Sequence, residues 1–187
     1  ADEYTDFTAF DAIRATLDLS NVGGLNLPLT ADYVYIKMDE NVIGRDDDVT
    51  VQGLNLSSKF DAWSSEADLY YLLKDDASQT AAGAQTTLKD GKMHTVGIRG
   101  SAQPVEGASV WGELAYQFGS RTTDLEGVLA IGGQQSAWAA NLGTDYTFAN
   151  VATTPKVGAE WRFYSGNDVD GAAAGWAAIA PGYFTTA

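Results

Sequence analysis

The sequence predicts an all-β fold in which antiparallel strands form the wall of a transmembrane β-barrel. Eight segments alternate apolar and polar residues, which is the period of a strand with two different faces. Connections between them alternate between short and long, as periplasmic turns and extracellular loops do in outer-membrane barrels. Aromatic residues cluster near both strand ends, where the two membrane interfaces favour them. No apolar run reaches the roughly 20 residues of a membrane helix, so a membrane role would depend on strands.

The first four predicted strands place apolar residues at every second position. The first, FDAIRATLDL, sets isoleucine and leucine against arginine and aspartate, and the second, LPLTADYVYIKM, carries two alternate tyrosines although Val34 and Ile36 blur its pattern. In the third, VTVQGLNLSSKF, leucines oppose asparagine and serine. The fourth, WSSEADLYYLLK, opposes Leu69 and Tyr71 to Asp68 and Tyr70. These strands are expected at residues 10–19, 27–38, 49–60 and 63–74.

The last four predicted strands follow the same design. In KMHTVGIRGS valine and isoleucine oppose threonine and arginine, and in ASVWGELAYQF leucine, tyrosine and phenylalanine oppose glutamate and glutamine. The seventh strand, SAWAANLGTDYTF, carries aromatics at both ends. The eighth, KVGAEWRFYS, has the clearest alternation, with Trp161 and Phe163 closing its apolar face. These strands are expected at residues 92–101, 108–118, 136–148 and 156–165.

The predicted connections indicate how the strands are oriented. Long outer loops are expected at residues 39–48, 75–91, 119–135 and 166–187, and short turns elsewhere. If the long loops are extracellular, the first strand starts and the eighth finishes outside the cell, whereas complete barrels of this type normally keep both termini in the periplasm. We therefore expect residues 1–187 to be a single β-barrel segment, an internal fragment of a larger barrel. A complete eight-stranded barrel is the alternative.

Composition excludes several classes of function. The formal net charge of −14 argues against a nucleic acid partner, which needs a basic patch. The chain has no cysteine. Its single histidine, His94, does not stand in a recognisable sequence motif with a nucleophile and an orienting acid, which a catalytic role would require. No phosphate-binding glycine loop or cofactor fingerprint occurs. We therefore predict neither an enzyme nor a bound organic cofactor.

Charged and polar residues on the predicted inner faces are the candidate pore-lining set. Opposite charges there can pair across strands and brace the wall, or set an electric field along a pore. The candidates are Arg14, Lys59, Glu66, Asp68, Arg99, Glu113, Gln117, Asp145, Lys156, Glu160 and Arg162.

Two acidic loops resemble oxygen-rich metal sites. GRDDDVT contains Asp46 and Asp48, and GNDVDG contains Asp168 and Asp170. Calcium prefers flexible carboxylate cages of this kind, but the spacing does not match an EF-hand loop. A solvated acidic loop is the favoured interpretation, and calcium is the alternative.

Several motifs together resemble the alginate-export family of outer-membrane porins. They are DLYYLLKDD, then TVGIRG, then WGELAYQFG, then KVGAEWRFYSGNDVDG, with FDAIRATLDL before them. The resemblance implies a barrel of about 16–18 strands, of which this chain would be an interior stretch, and diffusion of an anionic polysaccharide through an arginine-lined lumen. On this basis Arg14, Arg99 and Arg162 match luminal arginines, and Glu113 and Gln117 match the family's Glu-Ala-Tyr-Gln pattern.

The predicted function is therefore passive transport of a hydrophilic solute. This solute is either a small molecule or a polysaccharide, and anionic polysaccharides are among the candidates. The expected location is the outer membrane of a Gram-negative bacterium. The expected partners are outer-membrane lipid, the solute and the remaining strands of the same barrel. Two alternatives remain: a soluble, secreted β-sandwich that binds carbohydrate, and a small eight-stranded structural or adhesive barrel without a pore.

Overall fold

Eight antiparallel strands form a single sheet in which each strand pairs with its neighbours in sequence, in the order β1 to β8. The computed structural model describes residues 11–24, 27–39, 49–76, 91–121, 133–166 and 175–176. The strands are β1 (Asp11–Asp18), β2 (Leu29–Asp39), β3 (Val49–Phe60), β4 (Ser65–Asp76), β5 (Gly91–Ala102), β6 (Ala108–Arg121), β7 (Gly133–Thr147) and β8 (Lys156–Tyr164).

The all-β antiparallel fold predicted from the alternation is confirmed. Each predicted strand overlaps one observed strand, and β3 has the predicted bounds. Two strands extend further into the long connections than predicted, since β4 reaches Asp76 and β6 reaches Arg121. At these strand ends the hydrogen-bonded ladder continues beyond the residues that alternate apolar and polar. An ion pair between Lys92 of β5 and Asp75 of β4, at 2.8 Å, joins the two strands in this extension. The parts of the four predicted long loops that lie outside the described residues are 40–48, 77–90, 122–132, 167–174 and 177–187.

The start of β4 differs from the prediction. Trp63, expected as its first residue, lies instead in a short 3-10 turn, Ala62–Ser64, with φ 58°. Ser64 also has a positive φ, of 44°. The β3–β4 connection has only four residues, 61–64, and a left-handed backbone reverses the chain within that length. The apolar side chain of Trp63 therefore belongs to the turn and not to the strand.

Connection lengths follow the predicted alternation with one exception. The links from β3 to β4, β5 to β6 and β7 to β8 have four, five and eight residues, and those from β4 to β5 and β6 to β7 have fourteen and eleven. The β1–β2 link has ten residues, 19–28, one more than the β2–β3 link, 40–48. The prediction reversed this pair because it ended β1 at Leu19 and placed β2 at residues 27–38, whereas β1 ends at Asp18 and β2 spans Leu29–Asp39.

The sheet has one polar and one apolar face. Large apolar side chains at alternate positions remain exposed, including Leu69, Ile98, Leu114 and Leu142. A soluble sheet would cover such side chains with a second layer, so exposure of a continuous apolar face is the arrangement that a lipid-facing wall requires. Among the described residues no second sheet packs against it, which differs from the sandwich alternative.

The described sheet is open, with β1 and β8 as its edges. β1 pairs only with β2, and β8 pairs only with β7. All residues of both edge strands are exposed. Within the described parts of the chain, no helix has the length and apolarity needed to cross a membrane.

Candidate functional site

The polar face gathers all the residues predicted to line a pore. Strand alternation and the continuous register place them on the same side of the sheet, because directly opposed residues in a ladder share a face. One such row runs across six strands as Ser57, Asp68, Arg99, Glu113, Asn141 and Arg162. We call this face, with its eleven candidate residues, the polar wall.

Every basic candidate on the polar wall has an acidic partner. The ion pairs are Arg14–Asp32 at 2.9 Å, Lys59–Glu66 at 3.8 Å, Arg99–Asp68 at 3.0 Å, Lys156–Asp145 at 3.1 Å and Arg162–Glu160 at 2.8 Å. Four of them join neighbouring strands, and the last joins two residues of β8 that are two apart. The positive charges of these candidates are therefore locally balanced.

The Arg99–Asp68 pair is the most buried of these ion pairs. The Nε and Nη2 atoms of Arg99 donate to one oxygen of Asp68 at 3.1 and 3.0 Å. Asp68 is only 5% exposed, and its other oxygen accepts from the amide of Asn55 at 3.4 Å. A carboxylate this buried needs its partner, since an unpaired buried charge is strongly unfavourable.

Tyr70 links three strands across the polar wall. Its ring lies over Gly97 of β5, where an added Cβ would overlap the ring. Its hydroxyl donates to the carboxylate of Glu113 on β6. Glycine at position 97 thus lets a β4 side chain reach past one strand to the next, and Glu113 is fixed by this hydrogen bond.

Part of the polar wall near the long-loop ends is covered. Gln117 is fully buried, and its Oε1 accepts from the Nε2 of Gln135 at 3.1 Å. The same nitrogen donates to the carbonyl of Gly175 at 2.7 Å, and the Trp176 N–H donates to the carbonyl of Ser165 at 3.0 Å. The chain beyond β8 therefore returns over the polar side of the sheet at this position.

Two residues that the sequence interpretation left out of the candidate set belong to these contacts. Asp32 pairs with Arg14 and accepts from the hydroxyl of Thr16, but Val34 and Ile36 hid its strand's polar face. Tyr70 positions Glu113 and was counted only as part of a strand pattern. The double tyrosine in DLYYLL, one ring for each face, was the available signal.

On the apolar face, aromatic rings form a band at the long-loop ends. Tyr116 lies against Trp138 with ring centroids 4.5 Å apart, and His94 stacks on Phe118 at 4.9 Å and 11°. The hydroxyl of Tyr71 lies 2.6 Å from Nδ1 of His94. The single histidine is thus a member of this aromatic band. Tyr146 and Phe148 contact each other at the opposite end.

The candidate calcium ligands, Asp46, Asp48, Asp168 and Asp170, lie outside the described residues. Within the described ranges no group of three or more histidine, cysteine or acidic side chains is placed to hold a metal ion. The calcium interpretation therefore stays a prediction.

A sheet with one charged face and one exposed apolar face between two aromatic bands defines the wall of an outer-membrane β-barrel. The sequence model of the alginate export family matches residues 7–175. The chain belongs to this family, and the resemblance found in its motifs is confirmed. No curated protein and no solved structure matches it significantly. The family consists of outer-membrane β-barrel porins and is not an enzyme family.

Proposed function

We propose that this chain is part of a passive, water-filled channel in the outer membrane of a Gram-negative bacterium, and that a hydrophilic saccharide diffuses through it. Membership of the alginate export family supports an export or porin role in general. The observation that carries the proposal is the polar wall, which backs directly onto an exposed apolar face. This pattern suits water on one side and lipid on the other, without a bound reactant or a catalytic group.

The charge pattern of the polar wall bears on the solute. A lumen selective for a polyanion would present unneutralised arginine or lysine side chains. Here Arg14, Lys59, Arg99, Lys156 and Arg162 are all ion-paired. The proposed channel therefore discriminates between solutes mainly by size. The ion pairs that set the electric field along the channel also hold neighbouring strands of its wall together.

Reconstitution into planar bilayers and liposomes tests this function. We expect an ohmic conductance and sugar uptake that falls with solute size and does not saturate. A bilayer that stays sealed after verified insertion would contradict the channel.

Removing a cation from the polar wall tests whether these residues line the pore. Arg99→Ala leaves Asp68 unpaired, and Arg162→Ala does the same to Glu160, so each change adds one net negative charge to the wall. We expect the reversal potential in a salt gradient to move toward cation selectivity. Lys92→Ala is the matched control, because Lys92 pairs with Asp75 on the other face. Unaltered selectivity in both arginine variants would remove Arg99 and Arg162 from the pore lining.

A further inference from the structure

Gly175 and Trp176, which we call the strap, lie over the polar wall beside β7 and the end of β8. The Nε2 of Gln135 donates to the carbonyl of Gly175 at 2.7 Å, and the N–H of Trp176 donates to the carbonyl of Ser165 at 3.0 Å. Ser165 is itself joined to β7, because its N–H donates to the carbonyl of Trp138 at 2.8 Å. The strap is therefore tied to the wall at two points.

The polar wall near the strap carries small side chains. Ala115 of β6 is 3% exposed, and Ala137 and Ala139 of β7 are 0% and 8% exposed. Protein interiors are closely packed, so small side chains at these positions let another part of the chain lie close to the sheet. The alanines and the hydrogen bonds are two independent indications that the strap is a built part of the wall.

Two aromatic rings lie next to these alanines. Tyr164 is opposite Ala139 in the ladder, and a recess of about 180 Å³ is lined by Tyr164 and Trp176 together with Ala115 and Ala139. The centroids of the two rings are 6.3 Å apart with an interplanar angle of 41°. Gly175 is buried, whereas Trp176 remains partly exposed. Trp176 therefore occupies space on the side of the sheet that the proposed channel fills with water.

The anchor of the strap lies inside the packed wall. Gln135 is only 3% exposed, and the Nε2 atom that holds Gly175 also donates to the Oε1 of the fully buried Gln117 at 3.1 Å. A side chain that limits solute size has to keep its position, because a freely moving one would yield to the solute. The buried anchor gives Trp176 such a fixed position.

We propose that Trp176 is the size-determining residue of the channel. Its indole, held over the polar wall by the strap, narrows the lumen and sets the largest hydrophilic solute that passes. Pore diameter is one of the main determinants of passage through a water-filled pore. The indole carries no charge, so it narrows the path for charged and neutral solutes alike. This proposal rests on the proposed function, because it names the residue responsible for discrimination by size.

Polymer exclusion in planar bilayers tests this role. Single-channel conductance of the full chain is measured with polyethylene glycols of increasing hydrodynamic radius, since polymers that enter a pore lower its conductance and larger ones do not. We expect Trp176→Ala to admit larger polymers and to raise the conductance without polymer about 1.5-fold, because the lumen is wider. Trp161→Ala is the matched control. It removes an exposed tryptophan from the apolar face of β8 and should change neither quantity.

Two further variants separate the size of the ring from its anchoring. Trp176→Phe keeps a smaller ring at the same position, so the polymer cut-off and the conductance should rise in the order Trp, Phe, Ala. Gln135→Ala removes the hydrogen bond to Gly175 and keeps the indole. It should increase the fluctuation of the open-channel current and move the cut-off part of the way toward that of Trp176→Ala. Unfolding in urea, followed by circular dichroism, verifies that each variant is folded.

The outcomes separate this proposal from the channel function. An unaltered chain that conducts, with the same polymer cut-off in Trp176→Ala, would overturn the role of Trp176 and leave the channel standing. An equal shift in Trp161→Ala would also overturn it. A sealed bilayer with the unaltered chain and conductance with Trp176→Ala would support Trp176 as the narrowest point and contradict passive diffusion. If neither protein conducts after verified insertion, both proposals are wrong.

Discussion

At Gly97 the absence of a side chain allows the contacts that Tyr70 makes across the polar wall. The Tyr70 ring occupies the space that any other side chain at position 97 would need. The same relation recurs between Gly143 and Trp111, whose ring would overlap an added Cβ. On the polar wall, glycine therefore makes room for an aromatic ring from the neighbouring strand.

Gly97→Ala should displace the Tyr70 ring and break its hydrogen bond to Glu113. We expect the free energy of unfolding to fall by about 1–3 kcal/mol, the range for overpacking a close contact. Urea titration of the protein folded into lipid vesicles measures this loss. Gly100→Ala is the matched control in the same strand, since an added Cβ there would meet only the Glu66 carbonyl oxygen, at the ordinary contact distance of 3.5 Å. Equal losses in the two variants would show that the ring is not the cause.

Residue-level prediction from sequence succeeded where the alternation was regular. The placement of Arg99, Glu113 and Arg162 on one face of the sheet followed from period two alone. The sequence could not reveal that Arg99 meets Asp68 or that Glu113 meets Tyr70, because strand register is not encoded in the pattern of a single strand. Nor could it place Gly175 against Gln135, since that contact depends on the path of the chain after β8.

At the scale of the element, each strand separates two environments within one residue step. In β6, Leu114 is 46% exposed on the apolar face, whereas the next residue, Ala115, is 3% exposed on the polar wall. Leu114 lies in a row with Leu69 and Ile98, one step inside the aromatic band that contains Tyr116. Leu69, Ile98 and Leu114 therefore lie on the aliphatic part of the lipid-facing surface, inside the aromatic band.

A charge placed on that row should be costly. We expect Leu114→Lys to reduce the free energy of unfolding in lipid vesicles by about 1–4 kcal/mol, since the cost of a lysine rises from the interface toward the bilayer midplane. Ser101→Lys places the same charge at an exposed position of the polar wall and should change stability by less than about 1 kcal/mol. If Leu114→Lys were as stable as Ser101→Lys, the apolar face would not contact lipid.

Element boundaries were harder to predict than element existence. Trp63 was assigned to β4 by its apolar character, but a four-residue turn required left-handed backbone there. β4 and β6 extended into segments interpreted as loops, because hydrogen-bonded pairing continues where hydrophobic alternation ends. Turn geometry and hydrogen-bonded pairing depend on two strands together. The periodicity of a single strand therefore does not locate the strand ends.

At the scale of the whole molecule, the exposed apolar face indicates that lipid, and not water, surrounds this side of the sheet. The buried residues within the described ranges include few large apolar side chains, whereas exposed ones include Trp138, Leu142 and Trp161. In water these apolar side chains would need a second layer of structure to cover them, and the described sheet has no such layer. In lipid the same side chains are already in a favourable environment.

The 187-residue chain should therefore need a membrane-like environment. We expect it to aggregate when refolded in buffer alone and to gain β-sheet circular dichroism in detergent micelles or lipid vesicles. Sedimentation and circular dichroism in parallel check this. A soluble monomer that melts cooperatively without detergent would contradict a lipid-facing sheet and would favour the soluble alternative.

The sequential strand order has a kinetic consequence. Because β1 through β8 pair only with neighbours in the chain, every described ladder closes a connection of at most fourteen residues. Loop-closure entropy rises slowly with length and is small for such connections, and local pairings form faster than distant ones. No strand of this sheet must wait for a remote segment before it pairs, so the wall can grow during membrane insertion by adding one strand at a time to an existing edge.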